Sequence, residues 1–222
     1  MFKSFCTALL LSAACFCSFV VNTQEAKAEE DSFEKKIKEL NIPDKYQLPE
    51  IVIGNENAPH LLIVYTSFSC AVCKKFHDVE LPKLIAKYVK KGKLKIYLRA
   101  YLDDQAALDS AVLMRAFYNA KSKDPLKPYK IIFDNQLAWR KSDDPKNFLN
   151  QVFIKSGYSS EKVAQYSNHD SKDYKRLAAG LMKAMQQAIL LGIETAPSFV
   201  VDGKVCIGSL TADEIAKMTN LE

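Results

Sequence analysis

The run Leu61-Leu62-Ile63-Val64-Tyr65-Thr66 is continuously apolar, partly β-branched, and begins two residues after Pro59. It is short for a buried helix, so it predicts a strand covered on both faces. After Cys70 the pattern changes period. Val72, Cys73, Phe76, Val79, Leu84, Ile85 and Tyr88 recur at helical intervals, predicting a helix from Cys70 to about Lys90 with a kink at Pro82 and a stop at Gly92. Residues Leu94 to Tyr101 then alternate as a strand does. Strand, helix and strand in close succession make a βαβ unit with parallel pairing.

From Asp104 to Leu191 the pattern is helical throughout. Gln105 to Ala120 is apolar on one face, Asp124-Pro125 opens a segment ending near Trp139, and Asp144-Pro145 opens another ending at Gly157. Ser159 and Ser160 offer a cap to the next helix, and Ser171 to Leu191 is closed by Gly192. The Tyr and Phe side chains of this block read as its core. Beyond it, Ser198 to Val201, the turn Asp202-Gly203 and Lys204 to Ile207 predict a β-hairpin, and Thr211 with Glu214 three residues on is a capping box for a last helix. Phe33, Ile37 and Leu40 predict a short leading helix, followed by an extended connection through Pro43 and Pro49. No internal repeat is found. The plan is βαβ, a long helical block, then ββα.

Composition adds a compartment. A chain of 222 residues has room for one domain with an insertion, and 48% hydrophobic with 26% charged residues is that of an ordinary globular protein. The N-terminus has Lys3, an apolar run from about Ala8 to Val21 and the small-residue triplet Ala26-Lys27-Ala28, the three parts of a secretory signal. Cleavage is expected after Ala28. Loss of Lys3, Glu25 and Lys27 would take the net charge from +5 to +4, too modest and too dispersed to call for nucleic acid. The densest basic run, Lys87, Lys90, Lys91, Lys93 and Lys95, falls at a predicted helix end, where it complements the dipole.

The leader also changes the cysteine count. Cys6, Cys15 and Cys17 lie within it, leaving Cys70, Cys73 and Cys206. Three cysteines in a domain of this size are not a disulfide-stapled scaffold. Cys70-Ala71-Val72-Cys73 admits three readings. As a staple it closes a very short loop, worth only ~2 kcal/mol against ~3 for a loop of about 15 residues. As a zinc knuckle it needs two more ligands from Cys206 and the scattered His60, His77 and His169, with no second CxxC to close the site. As a redox pair it is well placed, because unpaired amides and the dipole at a helix start favour a thiolate on the first cysteine. At a pKa near 8.5 only about 3% of a thiol is ionised at pH 7, whereas near 6 about 90% is. Cys70 is therefore expected to have a depressed pKa, with Lys74 and Lys75 adding to it, and Cys73, facing Phe76, an ordinary or raised one. Cys206, between Val205 and Ile207, reads as a buried, inert thiol.

A second motif, Thr195-Ala196-Pro197, precedes the hairpin. A CxxC at a helix start after a buried strand, then Thr-x-Pro before a strand ending in Asp-Gly, resembles the thioredoxin superfamily. The inserted helical block and the run Gly54-Asn55-Glu56-Asn57-Ala58-Pro59 are similar to the exported DsbA-like thiol-disulfide oxidoreductases. The resemblance implies an α/β thioredoxin fold with an inserted all-helical domain. Residues 1–28 would be the signal peptide, 29–103 and 192–222 the two parts of the thioredoxin-like domain, and 104–191 the insertion.

It further implies a cis peptide before Pro197, packed against the CxxC, and a backbone edge at Ala196 that holds a client peptide as an added strand. Catalysis would belong to Cys70 and Cys73, with Ala196 and Pro197 binding substrate and no metal or other cofactor. The expected partners are unfolded or misoxidised secreted proteins and a membrane redox protein that resets the pair, in a periplasmic monomer. The dipeptide Ala71-Val72 matches neither the histidine of strongly oxidising members nor the Gly-Pro of reducing ones, and leaves open oxidase, isomerase and reductase. Val72 offers no donor to the thiolate, so the couple should be less oxidising than one with histidine there. Outside this class, the same sequence is compatible with a peptide-binding holdase whose CxxC is vestigial or holds zinc.

Overall fold

The computed structural model describes residues 47–221, with Ala28, Asp31 and Lys35 before them. The leader and the amphipathic segment around Phe33 lie outside the described residues. The buried run becomes β2 (His60–Thr66) in the middle of a five-stranded sheet of order β1-β3-β2-β4-β5. β3 (Leu94–Ala100) pairs with it in parallel on one side, and β4 (Ser198–Val201) antiparallel on the other. β5 (Lys204–Ile207) completes the hairpin at one edge. β1 (Val52–Ile53), which no periodicity announced, pairs antiparallel with β3 at the other edge. Two residues are too few to show an alternation.

The pleat of β2 divides its side chains between two cores. Leu62 and Val64 join the large cluster beneath the helices, whereas Leu61, Ile63 and Tyr65 pack with Ala188, Ile193 and Val200 on the opposite face. That two-sided burial is why the strand carries no polar alternation. At its start, Asp202 in the hairpin turn accepts from the backbone N–H of Leu61 at 2.8 Å and pairs with His60 Nδ1 at 2.7 Å, which locks β2 to the hairpin.

The helix after the CxxC begins as α1 (Ala71–Lys75) and loosens into a wide π turn over Phe76–Glu80. It resumes as α2 (Leu81–Leu84) and ends in a second wide turn, Ile85–Val89. Pro82 in the first turn of α2 has no N–H to give, so the predicted kink takes the form of the π turn before it.

Six helices then separate β3 from β4. They are α3 (Gln105–Phe117), α4 (Lys127–Asp134), α5 (Gln136–Arg140), α6 (Pro145–Lys155), α7 (Ser160–Ser167) and α8 (Lys172–Leu190). Asp104, Asp144, Ser159 and Ser171 each cap a helix by accepting a backbone N–H, and each such cap is typically worth about 1 kcal/mol. One expected start is corrected: Asp124-Pro125 lies in a loop, and the proline inside the first turn of α4 is Pro128. Trp139 is fully buried, with its Nε1 donating to the Ile132 carbonyl at 3.0 Å. The last helix, α9 (Ala212–Met218), carries the reciprocal capping box of Thr211 and Glu214, and Glu80 accepts from the Ala212 N–H at 2.9 Å.

Candidate active site

Cys70 is the N-cap of α1, with an extended backbone (φ −87°, ψ 121°) that turns its sulfur back over the first helical turn. Cys73 N–H donates to Cys70 Sγ at 3.3 Å. In the thiol form, Cys70 Sγ donates to the Ala196 carbonyl at 3.5 Å, so the two motifs meet although 126 residues separate them. The Ala196–Pro197 peptide is cis. Pro197 is buried, Ala196 is half-buried and Thr195 is exposed. Ala71 and Val72 are exposed beside the sulfur, whereas Cys73 lies 1% exposed in the core near Phe76, whose ring packs at a 59° tilt against Phe199 with centroids 4.9 Å apart.

The environment separates the two thiols. A hydrogen bond from the Cys73 thiol, helped by the backbone N–H groups of Cys73 and Val72, lowers the Cys70 pKa to about 6. Partial burial and the nearby Asp103 charge oppose this and are outweighed. At pH 7 such a thiol is about 90% thiolate. The same hydrogen bond to Cys70, together with burial, pushes Cys73 far up. For Cys70 the largest of these causes is hydrogen bonding at the helix start, and Lys74 Nζ pairs with Asp78 at 2.5 Å.

Asp103 and side chains from the insertion hold the segment leading into Cys70. Ser67 Oγ donates to Asp103 at 2.6 Å, and Ser69 Oγ donates to Asp104 at 2.7 Å, which is itself paired with Arg140 at 2.6 Å. Gln136, 4% exposed at the start of α5, donates through Nε2 to the carbonyls of Phe68 at 2.7 Å and Cys70 at 2.9 Å. Sequence reading passed over all of these, because a lone glutamine inside a helical block carries no local signal.

The chain matches the family model described as Thioredoxin over residues 47–220. It belongs to the thioredoxin family. A relative from Rickettsia conorii, provisionally named a protein-disulfide oxidoreductase, is 27% identical over 180 residues, covering 81% of this chain and 62% of that protein. One from Rickettsia prowazekii with the same provisional name is 27% identical over 207 residues, covering 90% and 74%. The chain spans less than two thirds of the length of the Rickettsia conorii protein. Among solved structures, alpha-DsbA1 of Wolbachia pipientis superposes with a TM-score of 0.68 at 22% identity, over 84% of this chain and 94% of that one. Oxidised BdbD of Bacillus subtilis does so with 0.64 at 18%, over 78% and 91%. The shared fold is thus a thioredoxin fold carrying a helical insertion.

The remaining candidate residues of this thioredoxin-family chain lie apart from Cys70. His60 pairs with Asp202, His169 pairs with Asp109 at 2.9 Å, and His77 packs between the rings of Tyr129 and Phe133. Among the described residues, no three His, Cys, Asp or Glu side chains are grouped so as to hold a metal ion. Cys206, expected to be buried, is only half-buried, since β5 is an edge strand with one open side. Its partial burial raises its pKa.

Proposed function

We propose that this protein is an exported thiol-disulfide oxidoreductase that forms disulfide bonds in secreted proteins. One observation carries the reading: a thiolate-favouring cysteine at an exposed helix start, 3.5 Å from the carbonyl of the residue before a cis proline. In the oxidised protein, a client thiolate attacks the sulfur of Cys70 in the Cys70–Cys73 disulfide, and Cys73 leaves as a thiolate that takes up a proton. A second client thiolate then attacks the client sulfur of the mixed disulfide, and Cys70 leaves. The client gains a disulfide and the protein gains a dithiol. Ala196 and Pro197 would hold the client backbone beside the reacting sulfurs as an added strand. The relatives' names and the leader ending at Ala28 support this chemistry and a periplasmic location.

Stabilising the Cys70 thiolate stabilises the reduced form, and that makes the pair an oxidant. This favours disulfide formation over reduction. A membrane protein that accepts two electrons would return the dithiol to the disulfide, and the DsbA-like resemblance supplies that partner. The test mixes the oxidised protein with a reduced, unfolded disulfide-containing protein at equal concentration, without other oxidants. Client thiols should disappear two for each Cys70–Cys73 pair reduced. If client thiols persist while the protein stays oxidised, the proposed direction is wrong.

A further inference from the structure

Gln136 is the residue of the insertion that reaches Cys70 itself. Both groups within its reach, the carbonyls of Phe68 and Cys70, are acceptors. The amide nitrogen must therefore face them, one hydrogen to each, because the amide oxygen would meet only lone pairs. The Cys70 carbonyl also accepts the Lys74 N–H at 3.1 Å, the first hydrogen bond of α1. One acceptor thus joins the start of α1 to α5. The orientation of that peptide plane governs where the next amides point, and the Cys73 N–H is aimed at Cys70 Sγ at 3.3 Å.

We propose that Gln136 is a positioning residue for Cys70, holding the Phe68 and Cys70 carbonyls so that the amides of the first α1 turn stay aimed at the sulfur. The fixed peptide keeps the amide cradle in place, so that the Cys73 N–H stays aimed at Cys70 Sγ. Removing the side chain loosens the cradle, takes this donor from the buried Phe68 carbonyl and leaves the Cys70 carbonyl with the Lys74 N–H. The other ties, Asp103 to Ser67 and Asp104 to Ser69, stop short of the cysteine. This inference rests on Cys70 being the sulfur that exchanges with the client.

The test follows iodoacetamide labelling of Cys70 against pH in the reduced full chain, with thermal melting alongside. Gln136→Met keeps the volume and removes both donors. Gln136→Glu keeps the shape and places an acceptor against two acceptors. Trp139→Phe loosens the same helix without touching the Cys70 loop. Both Gln136 variants should move the half-point of labelling upward, by about one unit for Met and further for Glu, which makes labelling at pH 6 about fivefold slower or more. Trp139→Phe should melt earlier with the labelling curve unmoved. Should one Gln136 variant fail to fold, the other decides. Gln136 variants that fold and label as wild type does, or a Trp139→Phe curve shifted as far as theirs, would overturn the proposal. A wild-type half-point at the ordinary thiol value would instead remove the function on which it rests.

Discussion

Replacing Cys73 with serine is expected to convert a turnover catalyst into a trap. In Cys73→Ser the Cys70 thiolate still attacks a client disulfide, releasing one client thiolate and forming a mixed disulfide. The sulfur that would attack next is gone. Intramolecular resolution has an effective concentration that no free thiol matches, so the mixed disulfide should live about a thousandfold longer or more. Cys70→Ser should behave differently, because Cys73 is 1% exposed and its pKa is pushed up by burial and by its bond to Cys70. It should lose exchange down to the background rate and trap nothing. Non-reducing electrophoresis of each variant after incubation with an oxidised client reads both outcomes. Equal trapping by the two variants would mean the roles are assigned to the wrong sulfurs.

The second large effect concerns stability in acid. His77 lies in the π turn after α1, its ring centroid 4.3 Å from that of Tyr129 and 4.7 Å from that of Phe133 in α4, and its buried Nδ1 has no hydrogen-bond partner among the described residues. Burial lowers its pKa from 6.5 to about 4. Asp78 and Asp134 oppose that shift, and Lys130 and Lys74 add to it. Between pH 6.5 and 4 the unfolded chain therefore binds a proton that the folded chain refuses. The stability contributed by His77 is full above pH 6.5 and is lost as pH drops toward 4, by on the order of 3 kcal/mol in total. Urea unfolding of the wild type should show the loss, and His77→Phe should have a clearly shallower slope over the same window. Equal slopes for the two proteins would place the acid sensitivity elsewhere. The rings opposite His77 belong to α4, so the residue that refuses the proton lies at the contact between α4 and the helix that carries the cysteines.

The features that sequence announced are those encoded within a few residues. The run from Leu61 to Thr66, the hairpin around Asp202-Gly203, the helix starts at Asp144 and Ser171, the cap at Ser159 and the capping box at Thr211 each carry their own period or hydrogen-bond partner nearby, and each stands in the structure where it was expected. The CxxC and the Thr-Ala-Pro motif were legible for the same reason. What lay beyond reach depends on residues distant in the chain. Gln136 finds Cys70 across 66 positions, and His77 is buried by rings of α4 more than 50 residues away. Cys206 has apolar neighbours, but its exposure is set by β5 being at the sheet edge. Lys74 stands next to the CxxC in sequence, yet its charge is directed to Asp78 one helical turn on. The pair β1 and β3 depends on two residues alone, with register fixed by Val52 opposite Tyr97.

All of these roles converge on one property, a Cys70 sulfur that is ionised near neutral pH while Cys73 is not. The rate of iodoacetamide labelling of the reduced protein, followed from pH 4 to 10 with each modified cysteine identified by mass, measures it directly. The structure leads us to expect Cys70 to label with a half-point at about 6 and Cys73 to remain unlabelled in the folded protein across the range. A half-point for Cys70 at the ordinary thiol value, or equal labelling of the two cysteines at pH 7, would contradict the account.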